Sequence, residues 1–238
     1  MCTLSFRVER GDYELFFSRD ERRSRPVARP PALEREAGVR FLAPRDPEGG
    51  GTWLAANQYG VTLALLNRYG VTARRSDFES RGALVTRLAS APSLREVEAR
   101  LRAAALARHR PFDLAVFEPG EPVARFGWNG RELEIDRDAR GPLCSSAVAD
   151  AAARAERRAR FAELCARDAV HASSSTLETF HREHVPARGV LSACMHRADA
   201  KTVSLARVRV TPARVTLAYA AGSPCRARFG AELELGRA

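Results

Sequence analysis

Lysine is nearly absent from this chain: Lys201 is the only lysine among 39 Lys and Arg residues, and arginine supplies all the other cations of that kind. The arginines are scattered through an alanine-rich sequence beside 29 acids, so the formal charge of +10 reads as the residue usage of a GC-rich genome. No helical stretch carries a basic stripe interleaved with aromatics, and no nucleic-acid partner is expected. The five cysteines, Cys2, Cys144, Cys165, Cys194 and Cys225, form no CxxC pair. Their odd number and irregular spacing argue against a disulfide framework or a structural zinc site and fit a reducing compartment. Long apolar runs are missing too. Nothing approaches the roughly twenty residues of a membrane span, and Arg7, Glu9, Arg10 and Asp12 interrupt the start of the chain where a secretory signal would need an apolar stretch. Internal repeats and low-complexity tails are also lacking. With 45% hydrophobic residues, the 238 residues are expected to form one cytoplasmic domain spanning 1–238.

The most informative stretch is MCTLSFRVERGDYELFFSRDE, residues 1–21. From Thr3 to Val8 apolar Leu4, Phe6 and Val8 alternate with polar residues, the period of a half-buried strand, and Tyr13 to Phe17 reads as a second strand. Arg10, Gly11 and Asp12 supply the turn. If the turn centres on Arg10 and Gly11, paired residue numbers sum to 21, which sets Cys2 opposite Arg19 with Asp20 beside it. A slip of one residue would exchange Arg19 and Asp20 and reverse the faces. Either register brings a thiol, a guanidinium and a carboxylate to one end of one hairpin.

Residues 22–51 carry Pro26, Pro30, Pro31, Pro44 and Pro47 and read as a long surface loop, either a pocket rim or a tolerated insertion. A second hairpin is expected from residues 52–57 and 61–67, ending at Asn67. Helices follow over 81–90 and 94–109, the second opened by Ser93 and Glu96 as a capping box. Strands are expected over 112–117, 123–128 and 132–135, with Asn129-Gly130 as the clearest turn. Residues 141–146 are weakly defined and lead into helices over 149–167 and 175–184. The chain then finishes with strands over 190–195, 203–210 and 215–219. This order suggests two mostly antiparallel sheets with helices on their outer faces, an α+β fold.

Chemistry centres on Cys2. Its small side chain permits removal of Met1, which leaves a free α-amine of reference pKa about 7.7 to 8.0 beside a thiol of about 8.5. The amine can then serve as general base to its own side chain. Asp20 is placed to orient the α-ammonium, and Arg19 to lower the thiol pKa or bind a substrate carboxylate. Asn67, at a strand end, can donate to an oxyanion. His181 and His184 lie one turn apart and Cys194-Met195-His196 offers soft ligands, but neither matches a known metal or haem spacing, and no metal is expected.

MCTLSF, FFSRDE, GGTWLAANQYGVTLALLN and the ending ACMHR…TVS…YAAGSPC together resemble the NRDE family, also called the transport-and-Golgi-organisation family, of the N-terminal nucleophile hydrolase superfamily. The resemblance covers nearly the whole chain, with its most specific motifs in residues 1–67. It implies a four-layer αββα sandwich with Cys2 at the start of a central strand, and an ancestry related to bile-salt hydrolases and penicillin acyltransferases. It also implies that Asp20 contacts the nucleophile's amine and that Asn67 contributes to an oxyanion hole. The motif itself reads Ser18-Arg19-Asp20-Glu21, with serine in place of its asparagine. A second asparagine expected near residues 143–146 is also replaced by serine. His196 and Arg197 fall in a segment that resembles the family and are expected to line the substrate pocket.

The resulting expectation is an N-terminal cysteine hydrolase or acyltransferase acting on a non-peptide carbon–nitrogen bond of a small amide or acyl substrate, without a cofactor. Cys2, Asp20, Asn67 and Arg19 would form the catalytic set. The alternative is a non-catalytic module that binds or traffics haem, lipid or an acyl conjugate.

Overall fold

The computed structural model describes residues 2–9, 11–70 and 77–238. The chain opens with the expected hairpin, β1 (Cys2–Glu9) and β2 (Asp12–Arg22), paired so that Cys2 lies opposite Arg19 and Glu9 opposite Asp12. Gly11 turns at a φ of +80°, a left-handed conformation that costs glycine little. The other predicted turn residue, Arg10, lies outside the described residues.

The stretch expected to be a loop is a hairpin, β3 (Arg29–Glu36) and β4 (Val39–Arg45). Pro30 and Pro31 are compatible with strand structure because β3 lies on a sheet edge and they fall within a register shift between Arg29 and Ala32; Pro44 of β4 lies in the same shift, beyond the Phe41–Leu42 stretch that pairs with β5, and Pro26 and Pro47 fall outside the strands. Next come β5 (Leu54–Asn57), β6 (Thr62–Asn67), α1 (Arg81–Leu88) and α2 (Leu94–Ala103). The Ser93 side chain accepts from the Glu96 amide, the N-cap half of the expected box, while the Glu96 carboxylate pairs with Arg100 at 2.7 Å. Instead of running to residue 109, α2 stops where Ala104 turns extended at ψ 147°, and a short 3-10 turn, Leu106–Arg108, takes over.

Then come β7 (Phe112–Phe117), β8 (Ala124–Trp128), β9 (Leu133–Asp136), β10 (Leu143–Ser145), α3 (Asp150–Ala166) and α4 (Ser174–Arg182). The last strands are β11 (Ala200–Val210), β12 (Arg214–Ala221) and β13 (Leu233–Gly236). The strand expected over 190–195 is absent: that segment is built of turns, and Met195 joins the sheet region only through bonds to Thr202.

Two antiparallel sheets result, one ordered β10-β1-β2-β11-β12-β13 and the other β3-β4-β5-β6-β7-β8-β9. Strand alternation gives each sheet two buried faces. Leu4, Leu15, Phe17, Val208 and Leu217 of the first sheet meet Leu42, Leu54, Leu66 and Phe117 of the second in one inter-sheet core. The reverse face of the second sheet packs on α1 and α2 through Phe41, Leu63, Leu84, Val85 and Val97. The reverse face of the first packs on α3 and α4 through Phe16, Phe161, Leu177 and Phe180. The fold is therefore a four-layer αββα arrangement of the α+β class.

One backbone contact fixes where α1 begins. A Cβ placed on Gly51 would lie 2.1 Å from the Gly82 carbonyl carbon, and the Thr52 amide donates to Gly82 O at 3.2 Å. A side chain at residue 51 has no space unless the start of α1 is pushed away. Gly51→Ala should therefore lower stability by about 3 kcal/mol through overpacking, read as a drop in Tm. Gly49→Ala, whose Cβ would meet only side-chain atoms at 3.2 Å or beyond, should cost much less.

Candidate active site

The cavity beside the start of β1 has a volume of about 660 Å³ and is open to solvent. Cys2, Arg19, Asp20 and Asn67, the four residues expected to act together, all line it. They come from the open ends of β1, β2 and β6, so both sheets contribute.

Strand alternation distributes these side chains between faces. Cys2 belongs to the inter-sheet core with Leu4 and Phe17, on the same face as its cross-strand neighbour Arg19. Asp20 is one residue further on and faces the α3–α4 layer, where it meets Arg157 of that layer. The thiol and the carboxylate therefore flank the start of the chain from opposite faces of the sheet.

Burial pushes the Cys2 thiol above its ordinary pKa. The positive N-terminus and Arg19 oppose that shift, and Asp20 reinforces it. A thiol in this environment needs a base to ionise it near neutral pH. Asp20 is 1% exposed. Its Oδ1 accepts a 2.6 Å hydrogen bond from Thr202 Oγ1, directly across from it on β11, and its Oδ2 lies 3.8 Å from Arg157 Nη2. Burial raises the Asp20 pKa, while Arg157, the N-terminus and Thr202 favour the charged form.

Arg157 is 1% exposed and was not singled out from the sequence. It donates to Thr3 Oγ1 at 2.8 Å and to the carbonyls of Leu191 and Val190, both at 3.1 Å. Among so many arginines, only its apolar neighbours on α3, Ala153 and Phe161 one turn either way, signalled a buried position.

Arg19 stacks over the Trp53 ring at 4.2 Å and pairs with Glu21 at 3.2 Å and Asp46 at 3.4 Å. Two acids already neutralise its charge. Two other cavity arginines differ. Among the described residues, Arg81 and Arg110 have no carboxylate partner: Arg81 donates to the Pro111 carbonyl at 2.9 Å, and Arg110 lies over the Phe78 ring at 5.3 Å. Arg81 is near enough to Cys2 for their charges to interact. The side chain of Asn67, at the end of β6, donates to the Tyr69 hydroxyl at 3.1 Å.

The motif's substituted serine does not line the cavity. Ser18 faces the helices, where its hydroxyl lies 2.7 Å from His181 Nδ1, and Ser5 lies 2.9 Å from Nε2 of the same ring. Ser145 stands opposite Cys2 on β10 and is 2% exposed, and its hydroxyl has no hydrogen-bond partner among the described residues. His196 and Arg197 do not line the cavity. His196 sits among Cys194, Cys225 and His184, and Arg197 pairs with Asp199 at 2.7 Å.

Residues 1–182 match the family model described as Transport and Golgi organisation 2. No curated protein matches the chain by sequence. Among solved structures, a variant of the conjugated bile acid hydrolase from Clostridium perfringens aligns with a TM-score of 0.60 at 11% identity, covering 99% of this chain and 92% of that one. The N-acylethanolamine-hydrolyzing acid amidase ortholog from Caenorhabditis elegans gives 0.57 at 10% identity, covering 87% and 92%. Penicillin V acylase from Agrobacterium tumefaciens gives 0.53 at 9% identity, covering 92% and 82%. At these identities the likeness is one of fold, the fold of N-terminal nucleophile hydrolases.

The buried Ser5–His181–Ser18 bridge predicts a pH dependence. Burial, with Arg157 adding to it, lowers the His181 pKa to about 3. The unfolded chain therefore takes up a proton near pH 6.5 that the folded chain refuses until about pH 3, so stability is full above that window and falls as the pH drops through it. In urea titrations, His181→Gln should remove up to about 1.4 kcal/mol per pH unit of this slope between about pH 4 and 6. A slope identical to wild type would show that His181 is not held neutral.

Proposed function

The chain belongs to the Transport and Golgi organisation 2 family, and from that premise and the cavity geometry we propose that it is an N-terminal cysteine amide hydrolase or acyltransferase. The observation that carries this reading is the convergence of Cys2, Asp20, Asn67 and Arg19 on one solvent-open cavity at the start of β1.

Removal of Met1 would give Cys2 the α-amine it needs. The amine takes the thiol proton and Sγ attacks the amide carbonyl carbon. Asn67 Nδ2 donates to the oxyanion that forms. As the tetrahedral species collapses, the carbon–nitrogen bond breaks and the α-ammonium returns its proton to the leaving amine, leaving a thioester on Cys2. Water, activated by the same amine, then releases the acid; an acceptor amine in its place makes the reaction a transfer. Asp20 holds the ammonium in position. Arg19, already paired with two acids, tunes the thiol and anchors Trp53.

Arg81 and Arg110 favour a substrate bearing a carboxylate or comparable anion, such as an N-acyl amino acid. A porphyrin or lipid chain fits this cavity less well, since ten charged side chains line it and no histidine or methionine does among the described residues.

Intact mass of the purified protein should show loss of Met1, and an N-acyl amino acid ester should leave an acyl adduct that maps to Cys2 and is absent from Cys2→Ala. Asn67→Ala should lower kcat by about a hundredfold or more, whereas Arg81→Met should raise KM for anionic substrates about tenfold with little change for neutral ones. A retained methionine would overturn the reading, as would equal labelling of Cys2→Ala.

A further inference from the structure

Away from the cavity, His184, Cys194, His196 and Cys225 bring one potential ligand atom each to within 4.8 Å of one another. They come from three segments: the end of α4, the turns before β11, and the turn after β12. The spacing His-x9-Cys-x-His-x28-Cys matches no familiar ligand pattern, which is why the sequence argued against a metal.

Two sulfurs converge on one nitrogen. Cys194 Sγ and Cys225 Sγ each lie 3.5 Å from His196 Nε2. A ring nitrogen has a single lone pair and cannot accept from two thiols at once. Those separations are, however, close to an edge of a zinc tetrahedron: Zn–S of about 2.3 Å and Zn–N of about 2.0 to 2.1 Å give a sulfur-to-nitrogen edge of about 3.6 Å. The His184 ring stands 5.0 Å from that of His196, edge to face. His184 Nε2 is buried with no hydrogen-bond partner among the described residues.

The geometry points to a structural zinc site with two cysteine and two histidine ligands, His184, Cys194, His196 and Cys225. Four protein ligands leave no open position, so the ion would hold structure and perform no chemistry. Both thiols lose their protons on binding, and the two thiolates balance the charge of the divalent ion. Coordination through Nε2 leaves the His196 proton on Nδ1, which Arg188, a donor only, now approaches at 3.4 Å. That contact opens when metal binds. The ion also steadies the proposed site from behind: Met195, between two ligands, donates its amide to Thr202 Oγ1 at 2.8 Å, and Thr202 holds Asp20.

The test is metal content and binding by the full-length protein, purified under reducing conditions without an affinity tag. Elemental analysis should find one zinc per chain. After chelation, Co(II) should restore the visible bands of tetrahedral cobalt together with thiolate-to-cobalt charge transfer, and zinc should displace it. Chelation should also lower Tm, and zinc should recover it. Cys225→Ser and His184→Gln should each weaken zinc binding at least about tenfold, while Cys2→Ala should leave it unchanged. Absence of both native zinc and saturable binding of zinc or Co(II) would overturn the inference. So would undiminished binding by both ligand variants, or a Cys194–Cys225 disulfide, seen as a loss of two hydrogens in the intact mass.

Discussion

The burial of one carboxylate constrains the rest of this structure. Asp20 sits 1% exposed at the end of β2, where an uncompensated charge is costly, and the groups that stabilise it there include Thr202 across the strand pair and Arg157 from α3. Each is itself fixed by other elements. Thr202 receives the Met195 amide, and Arg157 holds Thr3 together with two carbonyls of the turns before β11. Removing one member of a buried ion pair typically costs about 3 to 5 kcal/mol, so α3, the turns and the β2–β11 pairing are secured to the same carboxylate that borders the cavity. Fold stability and site geometry are coupled here.

The sheet then separates roles by parity. Odd positions in β1 and β2 do not share a face, because an antiparallel pair sets Cys2 against Arg19 and Thr3 against Ser18. One face gives the cavity its thiol and a neutralised guanidinium, and the other gives the helices Ser5, Ser18 and the carboxylate. Ser18 shares the face of Asp20 but lies two residues further from the open end of β2, opposite Thr3, so serine at this motif position leaves the cavity lining untouched. Its hydroxyl serves the imidazole of His181, and only its neighbours Arg19 and Asp20 reach the cavity.

Much of this was legible in the sequence wherever a local rule acted alone. A tight turn and strict alternation narrowed the β1–β2 pairing to two registers, of which the one setting Cys2 opposite Arg19 forms, and Ser93 as N-cap marked the start of α2. Rules failed where tertiary context outweighed them. Five prolines over residues 22–51 signalled a loop, yet Pro30 and Pro31 sit in an edge strand at a register shift that also takes in Pro44, while Pro26 and Pro47 lie outside the strands, and β3 and β4 form there. Val190 to Met195 has the composition of a strand, but two of its carbonyls serve Arg157 and Met195 is held by Thr202, which leaves turns in place of a ladder. Arg157, Arg81 and Arg110 could not be told from the other arginines by composition, since only contacts separate a buried cation from a solvated one.

Charge in the cavity is not balanced pair by pair. Its lining holds five arginines and five acids, yet the pairs are uneven: Arg19 and Arg25 share Glu21 and Asp46, while Glu79 pairs with Arg108, which lies outside the lining. Arg81, Arg110 and the exposed Arg22 are left without a carboxylate among the described residues, and burial lowers the Arg81 pKa. A guanidinium held in partly desolvated surroundings interacts more strongly with an incoming anion than one in water would. The same anion, once bound near Cys2, would oppose ionisation of a thiol already raised by burial. In the proposed reaction, proton removal therefore falls to a base in immediate contact with the sulfur, and an α-amine on the same residue would satisfy that requirement without another side chain.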